Sequence, residues 1–170
     1  MKRIKLYLLF FLYLIFVYSF AYSKEIFGFP KIIDGDTVHI DMYKIRLEGI
    51  DAPEIKQKCK KPFFSTSAFI RISLNKSYSC GLISKNRLIK KINKTKIRCI
   101  SSSKDRYSRY LATCYKGKVN LNKWLVRNGY AVAYKRYSKQ YLEDEIYAKD
   151  NEFGVWQGSF IRPEKWRKLN

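Results

Sequence analysis

IFGFPKII (26–33), Asp34-Gly35-Asp36, TVHIDMY (37–43) and KIRLEGI (44–50) follow one another without a break. The three apolar runs are rich in β-formers, and Asp-Gly between such runs favours a tight turn. A three-strand meander is therefore predicted over residues 26–50. Residues 55–79 are rich in Lys, Ser and Asn, include Pro62, and read mainly as a loop. Leu82, Ile83, Leu88, Ile89 and Ile92 have helical spacing, which predicts a helix across 81–93. TKIRCIS (95–101) and YLATCYK (110–116) read as a second hairpin. Asn120 is placed to cap a helix over LNKWLVRN with Gly129 as its stop, and a last helix covers 138–152. Strands, a helix, strands and then helices give an α+β chain on a small barrel.

At 170 residues and 20.3 kDa the chain has room for one domain, and it shows no repeat or interdomain linker. A hydrophobic content of 46% excludes wholesale disorder. Lys and Arg number 35 against 14 Asp and Glu, a formal charge of +21. Such an excess points to a polyanionic partner, a nucleic acid or an anionic membrane surface. The start of the chain is an address. MKRIK (1–5) carries three cations, residues 6–20 are apolar apart from Ser19 and the tyrosine hydroxyls, and small Ala21 and Ser23 follow. These are the parts of a secretory signal peptide over 1–23, leaving a domain at 24–170. An uncleaved membrane anchor is the competing interpretation, but the run falls short of the ~20 apolar residues a span takes.

Export decides how the cysteines are read. Cys59, Cys80, Cys99 and Cys114 are even in number and lack the close spacing of a zinc site. In an oxidising compartment they imply two disulfides, for which three pairings exist. The hairpin places Cys99 beside Cys114, which leaves Cys59 and Cys80 to staple the segment between them.

Acids and arginines concentrate in three segments: Ile33 to Val38, Arg46 to Glu54, and Asp105 to Arg109. Phosphodiester hydrolysis needs a polarised water, a hard cation on phosphate oxygens and cationic donors for the transition-state charge. Carboxylates suit Ca²⁺ or Mg²⁺, and guanidinium forks match phosphate. Asp-Gly-Asp alone would be an ordinary turn; the three segments together are not.

With IDGDTV, RLEGIDAPE, DRYSRYLA and VNLNKWLVRNGYA in this order, the chain resembles the staphylococcal-type thermonuclease family over about residues 26–160. The resemblance implies a five-stranded OB-type β-barrel with three helices and calcium-dependent hydrolysis of DNA and RNA, leaving 3′-phosphate ends. By the same resemblance Asp36, Asp51 and the Ala52 carbonyl would hold Ca²⁺, and Glu54 would act as general base or orient the water. Arg46 and Arg109 would grip the scissile phosphate. Arg106, Tyr107 and Tyr134 would contact nucleic acid. Ala52 stands where the family often has Thr. Ser108 replaces the usual Gly of the Asp-x-Tyr-Gly-Arg turn, at a cost in strain if that position needs a positive φ. Asp34 reads as a turn residue, Glu48 as solvated, and His39 as a strand residue with no catalytic part.

The Lys85–Lys96 stretch holds six cations, a solvated helix face or a phosphate-attracting surface. The tyrosines among the bases of 130–141 suit stacking on unpaired bases. A non-catalytic OB-type nucleic-acid binder is the alternative function, but a binder has no need of Asp36, Arg46, Asp51, Glu54 and Arg109 together. The expected location is exported, periplasmic or secreted, with membrane association only if the leader stays uncleaved.

Overall fold

The computed structural model describes residues 23–67 and 70–170. The leader expected over residues 1–23 lies outside them but for Ser23. Among the described residues no helix is long and apolar enough to cross a membrane.

The first apolar run forms two strands, β1 (Lys24–Gly28) and β2 (Pro30–Ile32), broken at Phe29. Pro30 lacks an N–H and opens its strand, the position at which a ladder tolerates it. The chain changes partners at the break. Strand β1 pairs antiparallel with β8 (Ile97–Lys104), and β2 with β3 (Thr37–Ile40). Strand β3 pairs with β4 (Tyr43–Leu47), β4 runs parallel to β9 (Tyr110–Lys116), and β9 pairs with β8. The order is β1-β8-β9-β4-β3-β2. Two halves of one run thus sit at opposite ends of the sheet, so the sheet curls. With β1 and β2 counted as one bent strand, it is the expected five-stranded α+β barrel.

Alternation drives the core inward. Val38, Ile40, Ile45, Leu47, Ile97, Cys99, Ala112 and Cys114 are buried from the strands, and Ile26 from β1 joins them. Helix α1 (Cys80–Ile92) adds Leu88 and Ile92, and α2 (Leu121–Arg127) adds Leu121, Leu125 and Val126. Each such Val, Leu or Ile side chain contributes about 1.5–3 kcal/mol on burial. Lys90 and Lys91 close the last turn of α1, where the helix dipole favours cations. As expected, the Asn120 side chain accepts the Lys123 N–H at 2.9 Å, and Gly129 takes a φ of +67° past the end of α2. Buried Asn122 ties α2 to the barrel, accepting from the Cys114 N–H and donating to the carbonyls of Glu48 and Ala112.

Three details differ from the sequence expectations. Residues 55–79 are not mainly loop: β6 (Cys59–Ser67) and β7 (Ile70–Tyr78) form a two-stranded ribbon. Ile70, Ile72 and Leu74 alternate with polar residues in the sequence, but the ribbon does not join the barrel sheet, so no core pattern marked it. Pro62 fits because both strands of a ribbon are edges. The last predicted helix shortens to α3 (Leu142–Asp150). A fourth helix, α4 (Pro163–Leu169), follows a 3₁₀ turn at Gly154–Gln157. Short strands β5 (Ile50–Asp51) and β11 (Val132–Ala133) pair with each other, and β10 (Val119–Asn120) extends β9.

Both expected disulfides form, Cys59–Cys80 and Cys99–Cys114. Cys99 and Cys114 face each other in the β8–β9 register. Cys59 and Cys80 close the base of the ribbon, where Lys60 and Ser159 exchange two backbone bonds. Removing either bridge as a Cys→Ser pair should cost about 2–5 kcal/mol in denaturant unfolding, and unreduced protein should bind no thiol reagent.

Buried Glu145 joins three elements. It accepts the Ala133 N–H from β11, and it pairs with Lys135 and with Arg162 at the root of α4. Burial pushes its carboxyl up, but the bonds from Arg162, Lys135 and Ala133 outweigh this and hold it below its ordinary 4.5. A depressed acid contributes stability that is present above 4.5 and lost as pH falls through the lower folded value. Arg162 and Lys135 stay partly in water, so Glu145→Gln should cost only about 1–2 kcal/mol at neutral pH. Its unfolding curve and the wild-type curve should converge as the pH drops below that window.

Candidate active site

The turn between β2 and β3 starts the site. Asp34 Oδ1 accepts the Asp36 N–H at 2.9 Å, an Asx turn that turns Asp36 inward. Asp36 is 3% exposed. Its Oδ1 accepts from Arg46 Nη1 at 2.6 Å and from Thr37 Oγ1 at 3.2 Å, and its Oδ2 accepts the Ala52 N–H at 2.7 Å. Arg46 projects from β4, where its strand partner is Thr37. Its second nitrogen, Nη2, donates to Asp51 Oδ1 at 3.0 Å. One guanidinium therefore spans both acids and retains further N–H donors.

Asp51 ends β5, paired with Val132. Ala52-Pro53 carries the chain from there to Glu54. Gln57 folds that loop back, bonding the Glu54 carbonyl through its N–H and the Glu54 N–H through Oε1. Helix α1 packs directly behind: a β-carbon on Gly81 would collide with the Glu54 carbonyl, so the approach requires glycine. The Glu54 carboxylate is about one-third exposed and bonds Arg167 Nη1 at 2.9 Å.

Crowding of like charges shows in the protonation behaviour. Burial, and then the charge of Asp36, push the Asp34 carboxyl up to about 6. Burial likewise raises Asp51, aided by Asp36 and opposed by Arg167 and Arg46. Burial works against the charge on Arg46, but Asp36 and Asp51 prevail and hold it further above its ordinary range.

The third segment is built around Asp105. Its Oδ1 accepts the N–H groups of Tyr107 and Arg109, and its Oδ2 holds Arg109 Nε at 2.8 Å and Nη2 at 2.7 Å. Burial would raise the Asp105 carboxyl; these bonds from Arg109 and Tyr107 hold it below its ordinary range. Arg109 precedes β9, whose Leu111 is the strand partner of Arg46, so both arginines serve one end of the β4–β9 pair. Arg106 and Tyr107 sit at the exposed tip, with the Arg106 and Arg109 guanidinium groups 4.8 and 5.5 Å from the Tyr107 ring. Tyr134 donates its N–H to the Gly49 carbonyl just before β5 and packs edge-on against Tyr137 at 4.8 Å. Its hydroxyl is raised by burial and then by the charges of Glu164 and Asp51.

The structure thus gathers Asp36, Arg46, Asp51, Ala52 and Glu54 in one bonded network. Arg109 is held by Asp105 in the neighbouring turn, and Arg106 and Tyr107 stand at its exposed tip. Among the described residues no three of His, Cys, Asp and Glu cluster as a ready metal cage. The expected set contains only two carboxylates and a carbonyl, so it would not form such a cluster. Its donors are all hard oxygens in a spot crowded with negative charge, and this chemistry fits a hard divalent cation.

Two residues were not assigned a role from sequence. Asp105 is visible in its motif, but its part in holding Arg109 needs the geometry. Arg167 gave no signal: it is 113 positions from Glu54 and one of 35 cations. Half of the basic run on and just after α1 has a packing part instead. Arg87 lies over Tyr130, Lys91 over Trp124, and Lys96 over Phe27 and Phe29. Of the tyrosines, Tyr141 is core.

Ser108 adopts a φ of +60°. The left-handed region costs an ordinary L-residue about 1–2 kcal/mol, and glycine returns part of that through its floppier unfolded chain. Ser108→Gly should therefore stabilise the protein by about 0.5 kcal/mol, read as a higher melting temperature.

The family described as staphylococcal nuclease homologue matches residues 44–158. The chain is 34% identical over 146 residues to an uncharacterized endonuclease of Haemophilus influenzae, covering 81% of this chain and 70% of that protein. It is 31% identical over 139 residues to the succinoglycan biosynthesis protein ExoI of Rhizobium meliloti, covering 79% of this chain and, at 66%, just under two thirds of that protein. Micrococcal nuclease of Shigella flexneri is 28% identical over 158 residues, with 82% and 79% covered. The chain belongs to the staphylococcal nuclease homologue family.

Proposed function

We propose that this protein is an exported, calcium-dependent nuclease that hydrolyses phosphodiester bonds of DNA and RNA and leaves 3′-phosphate ends. One observation carries the proposal: a single guanidinium, Arg46, bridges Asp36 and Asp51 beside the carboxylate of Glu54. The family and its nuclease-named relatives support the reaction class. The two disulfides and the leader-like residues 1–23 support export.

In this mechanism Asp36 and Asp51, with the Ala52 carbonyl, would hold the cation. Bound there, Ca²⁺ would supply positive charge for the scissile phosphate. Glu54 accepts a proton from water, whose oxygen attacks phosphorus. The P–O5′ bond breaks, the 5′-oxygen leaves and takes a proton from solvent water, and the phosphate stays on the 3′-oxygen. Arg46 and Arg109 use N–H groups not engaged by their acids to bind the negative charge that builds on the phosphate oxygens. Tyr107 and Tyr134 offer rings to unpaired bases, and Arg106 a cation to the backbone.

The test uses a plasmid and an oligoribonucleotide with Ca²⁺ or with chelator. Cleavage should need the cation, and full activity in excess chelator would remove it from the mechanism. Glu54→Gln should cut turnover about 10²–10⁴-fold while nucleic-acid affinity holds, since removing a negative charge cannot weaken attraction to phosphate. Lys90→Ala, on the exposed face of α1, should do the reverse, with weaker binding, a salt slope smaller by ~0.9 and unchanged turnover at saturation. Unimpaired cleavage by Glu54→Gln would take Glu54 out of the chemistry. Tight binding without cleavage by the wild type under any cation would favour a non-catalytic binder.

A further inference from the structure

Helix α4 lies beyond residues 44–158, the segment that matches the family, yet it reaches the centre of the site. Arg167 Nη1 donates to Asp51 Oδ1 and to Glu54 Oε1, both at 2.9 Å, and Nη2 donates to Asp51 Oδ2 at 3.2 Å. Burial works to lower Arg167, but Asp51 and Glu54 overcome it and keep the guanidinium firmly charged.

The root of the helix is fixed. Buried Gln57, which also folds the Glu54 loop, donates to the Ile161 carbonyl at 2.6 Å. Arg162 bonds Glu145 and the Ala133 carbonyl, and Pro163 is buried. Ala133 pairs with Ile50, next to Asp51, so the ladder that presents the acid also receives the root of α4. Trp166 lines a cleft of about 210 Å³ with Asp34, Glu54, Ile55 and Lys56. The Arg167 side chain itself is one-third exposed, at the end of this anchored helix.

We propose that Arg167 is a built-in counter-ion that caps Asp51 and Glu54 and competes with the divalent cation for them, which rests on the nuclease reading above. The fork occupies both oxygens of one expected cation ligand and one oxygen of the expected base. It also sets a positive charge where a second cation is repelled. With the helix root anchored, only the long side chain has to swing for the acids to open. A nucleic-acid phosphate favours that swing by offering the guanidinium another bidentate partner. The cap keeps crowded carboxylates neutralised until cation and polyanion arrive together.

Calcium titrated into the purified protein by calorimetry tests this without any cleavage assay. If the open arrangement is populated in about one molecule in ten, the apparent Kd lies about tenfold above the intrinsic one. Arg167→Ala should then bind Ca²⁺ about tenfold more tightly. Arg167→Gln, close in length but uncharged, should show most of the gain and guards against a packing defect in the alanine variant. Lys165→Ala removes a charge from the same helix without touching the acids, and should change the Kd less than about twofold. An unchanged or weaker Ca²⁺ affinity in both Arg167 variants, or an equal gain in Lys165→Ala, overturns the cap. Absence of Ca²⁺ uptake by wild type and variants alike overturns the cation site and the cap with it, a pattern distinct from an unchanged Kd.

Discussion

Arg46 is the residue on which the site's geometry depends. Asp36 and Asp51 are almost wholly withdrawn from water, at side-chain exposures of 4% and 2%. Two buried carboxylates without compensation would neutralise by taking up protons, because desolvation of an unpaired charge is too costly. A fork of fixed shape between them satisfies one oxygen of each and sets their separation. Four local structures must agree for this to happen: the Asx turn at Asp34, the β3–β4 register, the short β5–β11 ladder and the Ala52 amide. Breaking a buried pair by removing one partner costs more than the pair itself contributes. The arrangement is therefore fixed by its own penalty for being incomplete.

The barrel supplies the second constraint. The run from Lys24 to Ile32 supplies both end strands of the sheet, so the acid turn that follows it is attached to a strand tied by the chain to both ends. Elements outside the sheet are fastened individually. Asn122 bonds α2 to β9 and to the turn before β5, and the Cys59–Cys80 bridge and the Lys60–Ser159 bonds hold the ribbon. Gln57 and Glu145 fasten α4. These polar and covalent anchors add fixed direction to the apolar packing of α2 and of the ribbon base.

What the sequence could reveal follows from how local each signal is. The strands and α1 and α2 declared themselves through alternation, helical spacing and the Asn120 cap, all of which act within a few residues. Cys99 opposite Cys114 followed from one hairpin. The ribbon did not declare itself, since it stands apart from the barrel sheet and its lysines and serines look like a loop's. Asp36, Arg46, Asp51 and Glu54 were found through resemblance; nothing in their spacing dictates that one guanidinium joins two acids. Arg167 is the extreme case. Its meaning depends on a fold-back set by Gln57 to Ile161 and Arg162 to Glu145, contacts between distant stretches that no local pattern encodes.

Scarcity makes the acids informative. With 35 cations against 14 acids, a carboxylate is in demand wherever it stands. Several of those not at the centre hold cations in pairs: Asp105 holds Arg109, Asp144 meets Lys123 and Arg127, and Glu164 meets Arg136 and Lys168. These are pairings of one acid with cations it can satisfy. The central group inverts the ratio locally, with Asp34, Asp36, Asp51 and Glu54 sharing two guanidinium groups. In a chain that repels itself through excess positive charge, such a concentration of negative charge is where Arg46 and Arg167 are drawn inward rather than repelled. The basic surface suits a polyanion, and the acidic centre sets a local field of the opposite sign within it.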